Sequence, residues 1–346
     1  MTKIKAAIVG ASGYTGAELV RILINHPHVD IAAMTADRKA GMRMADVFPH
    51  LGGLTLPDLM TMDAVDWPTI DICFCCLPHG TTQAFIASLP QSVRIVDLSA
   101  DFRLKDVEEY AKWYGNTHRA PDLQKEAIYG LSEINRDAIA KARLVANPGC
   151  YPTAAQLPLI PLIKAGMISG NNIIIDAKSG ATGAGRAPKE GTLFCEVSDA
   201  INAYGIGTHR HGPEIEQGLS EAAKENVIIS FTPHLIPMNR GILATIYVEL
   251  DNGASVDDLR TELTNTYANA PFVRIVEEGN SPATRHVRGS NYCLIGVFAD
   301  RVPSRAILIC VEDNIVKGAS GQAVQNMNIM FGFDETAGLT QQPMFP

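Results

Sequence analysis

The chain has 346 residues, which suggests two domains, and its 46% hydrophobic and 19% charged content is that of an ordinary globular protein. A formal net charge of −8 without a basic stripe argues against a nucleic-acid partner, and no apolar run is long enough to cross a bilayer. Residues 1–5 show no signal-peptide pattern and the seven cysteines have no framework spacing, so a reducing cytoplasm is the expected location.

The first predicted element is a short apolar strand over residues 5–9. It runs into Gly10-Ala11-Ser12-Gly13-Tyr14-Thr15-Gly16 and then a helical pattern over 17–23. Strand, glycine-rich turn and helix in that order are the context of a dinucleotide site, where glycines let the backbone approach a pyrophosphate at a helix N-terminus. The spacing is GxxGxxG rather than GxGxxG. Gly10, Ser12, Gly13, Tyr14, Thr15 and Gly16 are the candidate cofactor contacts.

A second strand is expected over 29–34, followed by Thr35-Ala36-Asp37-Arg38-Lys39. NAD enzymes usually carry an acid here for the ribose 2′-hydroxyl. Arg38, with Lys39 and Thr35, suits a 2′-phosphate instead, so NADP(H) is the expected cofactor, with Asp37 as the residue arguing for NAD. Further strands at 71–77, 93–98 and 143–146 alternate with helical or irregular stretches and predict a doubly wound parallel sheet. Leu77-Pro78-His79-Gly80, Ser99-Ala100-Asp101-Phe102-Arg103 and Cys150 all follow strand ends, where such sheets bind ligands.

Cys150 lies in Asn147-Pro148-Gly149-Cys150-Tyr151-Pro152-Thr153, between the strand at 143–146 and a helix expected from Ala154 onward. Unpaired N–H groups and the helix dipole favour a thiolate there, and the same N–H groups suit an oxyanion. Most cysteines are inert core residues. Cys73, Cys75 and Cys76 fit that description in a buried strand, as do Cys293 and Cys310. Cys195 is ambiguous. The cysteine spacing is not that of a metal site.

Beyond Cys150 the pattern changes. A strand is expected over 172–177, then a loop over 178–186 too glycine-rich for a helix, suited to close contact with a phosphate or a nicotinamide. His209-Arg210-His211 precedes a helix opened by Gly212-Pro213-Glu214. Histidine suits proton transfer near neutrality, and a cysteine nucleophile needs such a partner. Long strands at 227–231, 241–250, 292–298 and 306–311 give this part a large sheet, and an apolar helix is expected over 318–333.

These motifs together resemble those of the N-acetyl-gamma-glutamyl-phosphate reductase family. The resemblance covers nearly the whole chain and rests on 10–16, 98–103, 147–153, 178–186, 209–215 and 313–323. Its relatives, the aspartate-semialdehyde and glyceraldehyde-3-phosphate dehydrogenases, surround their cysteine differently. The resemblance implies an α/β fold, with a Rossmann-type doubly wound parallel sheet plus a glyceraldehyde-3-phosphate-dehydrogenase-like α+β domain with a large mixed sheet. The domains would be 1–149 with 315–346, binding NADP, and 150–314, carrying catalysis and oligomerisation into a dimer or tetramer. Cys150 would be the nucleophile, His211 the acid–base residue and His209 part of the substrate site. The substrate, a small-molecule acyl phosphate, would meet Arg103, Arg210 and Glu214. Ser179, Gly180 and Asn314 would contact the cofactor. One departure is visible: Ser132 stands where the family pattern has proline.

Overall fold

The computed structural model describes residues 3–345, which divide into two compact units. One comprises the chain up to Pro148 with Ala319–Thr340, the other Gly149–Gly318 with the chain from Gln341.

The first unit is built on β1 (Ile4–Val9), β2 (Val29–Thr35), β3 (Leu59–Met60), β4 (Ile72–Cys75), β5 (Arg94–Asp97), β6 (Ile128–Tyr129) and β7 (Leu144–Ala146). All six pairings are parallel, in the order β3-β2-β1-β4-β5-β7-β6. Parallel sheets are covered on both faces, so their strands read as continuous apolar runs; Ala6–Val9 and Ile72–Cys75 are buried throughout. The order reverses between β1 and β4, which creates the crevice typical of a doubly wound sheet. The connections carry α1 (Tyr14–Leu23), α2 (Met44–Val47), α3 (Thr82–Ser88), α4 (Val107–Tyr114), α5 (Pro121–Glu126) and α6 (Ser132–Ile139).

The second unit opens with α7 (Cys150–Lys164), then β8 (Ile174–Ser179), α8 (Phe194–Val197), β9 (Asn202–Ala203), α9 (Gly212–Ala223), β10 (Ser230–Leu235) and β11 (Ile242–Glu249). It continues with α10 (Val256–Thr266), β12 (Val273–Ile275), β13 (Cys293–Ala299) and β14 (Arg305–Glu312). Its sheet is mixed, in the order β12-β13-β14-β11-β8-β10-β9. Helices α7 and α10 pack on one face. Along β11 buried and half-buried residues alternate, and the outward set Leu243, Tyr247, Ile307 and Ile309 stays half-exposed. The expected fold class, a Rossmann-type sheet plus a domain with a large mixed sheet, therefore holds.

Three local expectations need correction. The strand at 227–231 begins at Ser230 instead, because Val227 N–H and Ile229 N–H donate to Ser220 and Glu216 of α9 rather than to a ladder. The glycine-rich loop contains one 3-10 turn, Ala181–Ala184, tied down where Ala181 N–H donates to Met238 and Thr182 N–H to Asn239. The C-terminal helix is a π-helical turn, Val316–Ser320, followed by α11 (Gly321–Phe331), and it is not simply apolar. It buries Gln322, Gln325, Asn326 and Asn328 completely.

Candidate active site

Cys150 is the first residue of α7, one turn earlier than the sequence reading placed the helix start. Gly149 supplies an extended N-cap (φ −68°, ψ 155°). Pro152 fits the first turn, where a missing N–H costs nothing. The turn is fixed from both sides: Gly149 N–H donates to Glu214 Oε1 (2.8 Å), and Thr153 Oγ1 donates to the Gly149 carbonyl (3.0 Å). Gln156 Nε2 donates to the Glu214 carbonyl (2.7 Å), and a Cβ on Gly218 would stand 2.6 Å from that amide, so glycine is what lets α9 close onto α7.

Cys150 is half-buried, whereas Cys73, Cys75, Cys293 and Cys310 are buried. The Cys73 hydrogen bond and burial hold the Cys75 thiol well above its ordinary range, and burial with the Cys293 contact does so for Cys310. Cys76 lies just past β4, not within it, and burial pushes its thiol up to about 12. Cys195 is exposed on the short α8. Behind Cys150 lies the π-helical turn. A Cβ on Gly318 would stand 2.7 Å from Cys150 Cβ and 2.7 Å from Glu312 Oε1, so that turn presses its backbone against the cysteine.

His211 is the N-cap of α9, and its N–H donates to His209 Nδ1 (3.1 Å). With Nδ1 accepting, neutral His209 carries its proton on Nε2. Burial, helped by the Arg210 charge, lowers His209 to about 4. The two histidine rings lie 4.8 Å apart. Around His209 stand Tyr151 (5.6 Å, perpendicular), Tyr204 (5.5 Å) and Phe231 (5.5 Å). The Tyr151 and Tyr204 hydroxyls share a hydrogen bond of 3.0 Å. Burial holds both phenols in the neutral form, Tyr204 at about 12, and the Cys150 charge adds to both effects. Sequence reasoning gave neither tyrosine a role. The one local signal was Gly205, which sits at φ +56° with its would-be Cβ 3.2 Å from His209 Cβ.

The other residues singled out in this unit divide by exposure. Arg210 is exposed. Glu214 is only 1% exposed and carries the Gly149 hydrogen bond already described. Ser179 and Asn314 are each 3% exposed. Asn314 Oδ1 accepts from Gly241 N–H (2.7 Å) and its Nδ2 donates to Thr182 Oγ1 (3.1 Å), so it ties the start of β11 to the 3-10 turn. Gly180 admits no side chain, since a Cβ would lie 2.7 Å from the Asn239 carbonyl.

In the first unit the glycine turn has the shape a diphosphate requires. Gly10 sits at φ +82°, and a Cβ there would lie 2.6 Å from the Cys76 carbonyl; one on Gly16 would lie 2.6 Å from Ala11 Cα. Ser12 and Thr15 are half-buried and Tyr14 is exposed. Helix α1 has no acidic residue in its first turn and no side-chain cap, which leaves its N-terminal field for an anion. Thr35 is 2% exposed and its Oγ1 accepts from Gly10 N–H (3.3 Å), so it braces the turn. Arg38 and Asp37 are both exposed beyond β2. Arg103 is 8% exposed, with Nε donating to the Asn147 carbonyl (2.8 Å) and Nη2 to that of Leu98 (3.0 Å). Among the described residues no group of three or more His, Cys, Asp or Glu is arranged to hold a metal ion, and no helix is long and apolar enough to cross a membrane.

Residues 5–142 match the NAD-binding domain of semialdehyde dehydrogenases, and residues 150–314 match the semialdehyde dehydrogenase dimerisation domain. The chain is 65% identical to the N-acetyl-gamma-glutamyl-phosphate reductase of Rhodospirillum rubrum, with 99% of each chain covered. It is 58% identical to a probable chloroplastic N-acetyl-gamma-glutamyl-phosphate reductase of Arabidopsis thaliana, covering 99% of this chain and 86% of that one. Among solved structures, aspartate semialdehyde dehydrogenase II of Vibrio cholerae shares the fold at a TM-score of 0.73 and 17% identity, with 96% and 99% coverage. The Candida albicans aspartate semialdehyde dehydrogenase with NADP does so at 0.71 and 16%, with 95% and 99% coverage. The chain belongs to the N-acetyl-gamma-glutamyl-phosphate reductase family of semialdehyde dehydrogenases.

Proposed function

We infer that this chain reduces N-acetyl-L-glutamyl 5-phosphate to N-acetyl-L-glutamate 5-semialdehyde, a step of arginine biosynthesis, with NADPH as reductant and a thioester on Cys150. The observation that carries the reading is the half-buried Cys150 at the first position of α7, in one unit with two histidines, on a chain 65% identical to a named reductase of this kind. We assign the nucleotide to residues 1–149 and 315–346, and the covalent chemistry to residues 150–314.

A carboxylate resists reduction because its leaving group is poor, and the phosphoryl group removes that obstacle. The Cys150 thiolate attacks the acyl carbon; the S–C bond forms and the C–O bond to phosphate breaks. Held by the α7 N-terminus, that thiolate is a better nucleophile than the buried thiols elsewhere in the chain. The nicotinamide nucleotide, when bound, supplies hydride for the thioester carbonyl carbon. Gly10, Ser12, Gly13, Tyr14, Thr15 and Gly16 would hold its phosphates, Thr35 and Arg38 would select the 2′-phosphate, and Ser179, Gly180 and Asn314 would approach the nicotinamide. The tetrahedral species on Cys150 carries oxyanion charge, for which one well-placed donor is worth about 3 kcal/mol. Neutral His209, with its proton on Nε2, suits that donor role. His211 then serves as the acid–base group that returns a proton as the thiohemiacetal collapses to aldehyde and free thiol. Arg103 and Arg210 would meet the substrate's anionic groups, and Glu214 acts beside them by fixing the cysteine turn.

The half-exposed sheet face with Leu243, Tyr247, Ile307 and Ile309 supports association of identical chains into a dimer or tetramer. Cysteines held as thiols rather than as disulfides suit a cytoplasmic location.

The deciding assay follows NADPH formation from the semialdehyde, NADP and phosphate. The wild type should turn over, Cys150→Ser should bind NADPH without turnover, and in the reductive direction Arg38→Ala should raise KM for NADPH more than for NADH. Appreciable turnover by Cys150→Ser, or preference for the aminoadipyl homologue, would overturn the nucleophile or the substrate respectively.

A further inference from the structure

Asp101 is completely buried in the segment after β5, yet four donors meet its carboxylate. Oδ1 accepts from Gly80 N–H (2.6 Å) and from the Tyr110 hydroxyl (2.7 Å). Oδ2 accepts from Thr82 N–H (3.0 Å) and from the Thr82 hydroxyl (2.7 Å). Behind it, Asp101 N–H donates to Ser99 Oγ, and that hydroxyl donates to Asp97 Oδ2 (2.7 Å). A buried carboxylate is tolerated only when its oxygens are saturated in this way.

Two of the donors are backbone N–H groups of the segment that leaves β4. That segment turns at Gly80, with φ +81°, before entering α3. It starts against the glycine turn, where a Cβ on Gly10 would collide with the Cys76 carbonyl. The segment after β4 is therefore the second wall of the crevice at the β1/β4 switch point, where ligands of doubly wound sheets lie.

We propose that Asp101 is a positioning residue for the nicotinamide nucleotide: its carboxylate fixes Gly80 and Thr82, and so holds residues 76–82 as the wall facing the glycine turn. The proposal rests on the cofactor reading above. Asp101 acts only through the segment it clamps.

The test is Asp101→Asn. Either placement of the new amide sets an NH₂ donor against a backbone N–H, of Gly80 or of Thr82, so one clamp is lost. The dissociation constant for NADPH, from fluorescence titration, should rise at least tenfold. Deuterium exchange at Gly80 and Thr82 should quicken in cofactor-free protein. The kcat at saturating NADPH should stay within threefold of wild type, and Cys150 alkylation within twofold. Unchanged affinity with quickened exchange overturns the proposal. So does a parallel fall in affinity, kcat and alkylation, which is the signature of a merely structural plug. If Asp101→Asn does not fold, Tyr110→Phe removes one donor and keeps both backbone clamps. It should raise the dissociation constant two- to fivefold with faster Gly80 exchange, and no change in either refutes the idea. Wild-type protein that fails to bind NADPH would instead remove the cofactor reading, and the proposal with it.

Discussion

Gly318→Ala isolates the contact behind Cys150, the proposed nucleophile. Gly318 is not among the glycines at positive φ, so alanine meets no backbone strain there and the effect comes from the added methyl alone. That methyl would lie 2.7 Å from both Cys150 Cβ and Glu312 Oε1. Carbon–carbon contacts settle near 3.5–4.0 Å, so the neighbours must part by about 1 Å. Glu312 ends a strand paired on both sides and is fully buried, which leaves it little room to retreat. Cys150, at a helix start and half-exposed, is the part that moves. A displacement of about 1 Å at a reacting atom costs on the order of 10²-fold in rate, while overpacking costs about 1–3 kcal/mol of stability. We therefore expect kcat to fall about 10²-fold and Cys150 alkylation to slow, with NADPH affinity unchanged because the glycine turn is untouched. Steady-state kinetics, an iodoacetamide time course and a thermal melt measure these. Activity within threefold of wild type would refute the reasoning that Gly318 sets the cysteine's position.

The remaining predictions concern charge and association. His209 has a folded pKa near 4, below its unfolded value, so the unfolded chain binds the extra proton and stability should be lost as pH falls from about 6.5 through 4. His209→Asn should flatten that slope in melts against pH, and a slope unchanged in the variant would remove the assignment. The same lowered pKa keeps His209 neutral from pH 5 to 8, so any limb of the kcat profile in that window should persist in His209→Asn; its loss in that variant would show that His209 titrates there. Ile309→Asp should lower the mass seen by light scattering without unfolding the second unit, and an unchanged mass would show that the open sheet face is not the interface.

What the sequence revealed depended on how local each signal was. The strand, glycine turn and helix at 4–23 are contiguous, so both the element order and its use were legible. The strand-turn-helix placement of Cys150 was legible for the same reason, although the proline after Tyr151 concealed that the helix starts at Cys150 itself. The strand expected at 227–231 failed because the apolar run there is only one claimant for its own backbone. Ser220 and Glu216, on a helix placed earlier in the chain, take those N–H groups. No periodicity over a short window registers such a competition.

The same physics explains the polar helix that was expected to be apolar. Burial of Gln322 and Asn326 is possible because α6 and its approach offer partners: both amides donate to the Gly130 carbonyl, and Asn326 Oδ1 accepts from Ser132 Oγ (2.7 Å). Gln322 Nε2 also donates to Ser132 Oγ (2.6 Å). Serine at 132 thus anchors that turn with two side-chain hydrogen bonds. Asn326 Nδ2 reaches on to Asn147 Oδ1 (3.1 Å), three residues before Cys150. Residues nearly 200 positions apart in sequence therefore fix the strand end that precedes α7. The candidate residues were readable because they sit in short motifs, whereas the contacts made by Glu214, Gly318, Asp101 and Asn326 are distributed along the chain. Each of those four acts on a main-chain group or on packing space rather than on a motif partner, and such roles become visible only when the folded neighbours are known.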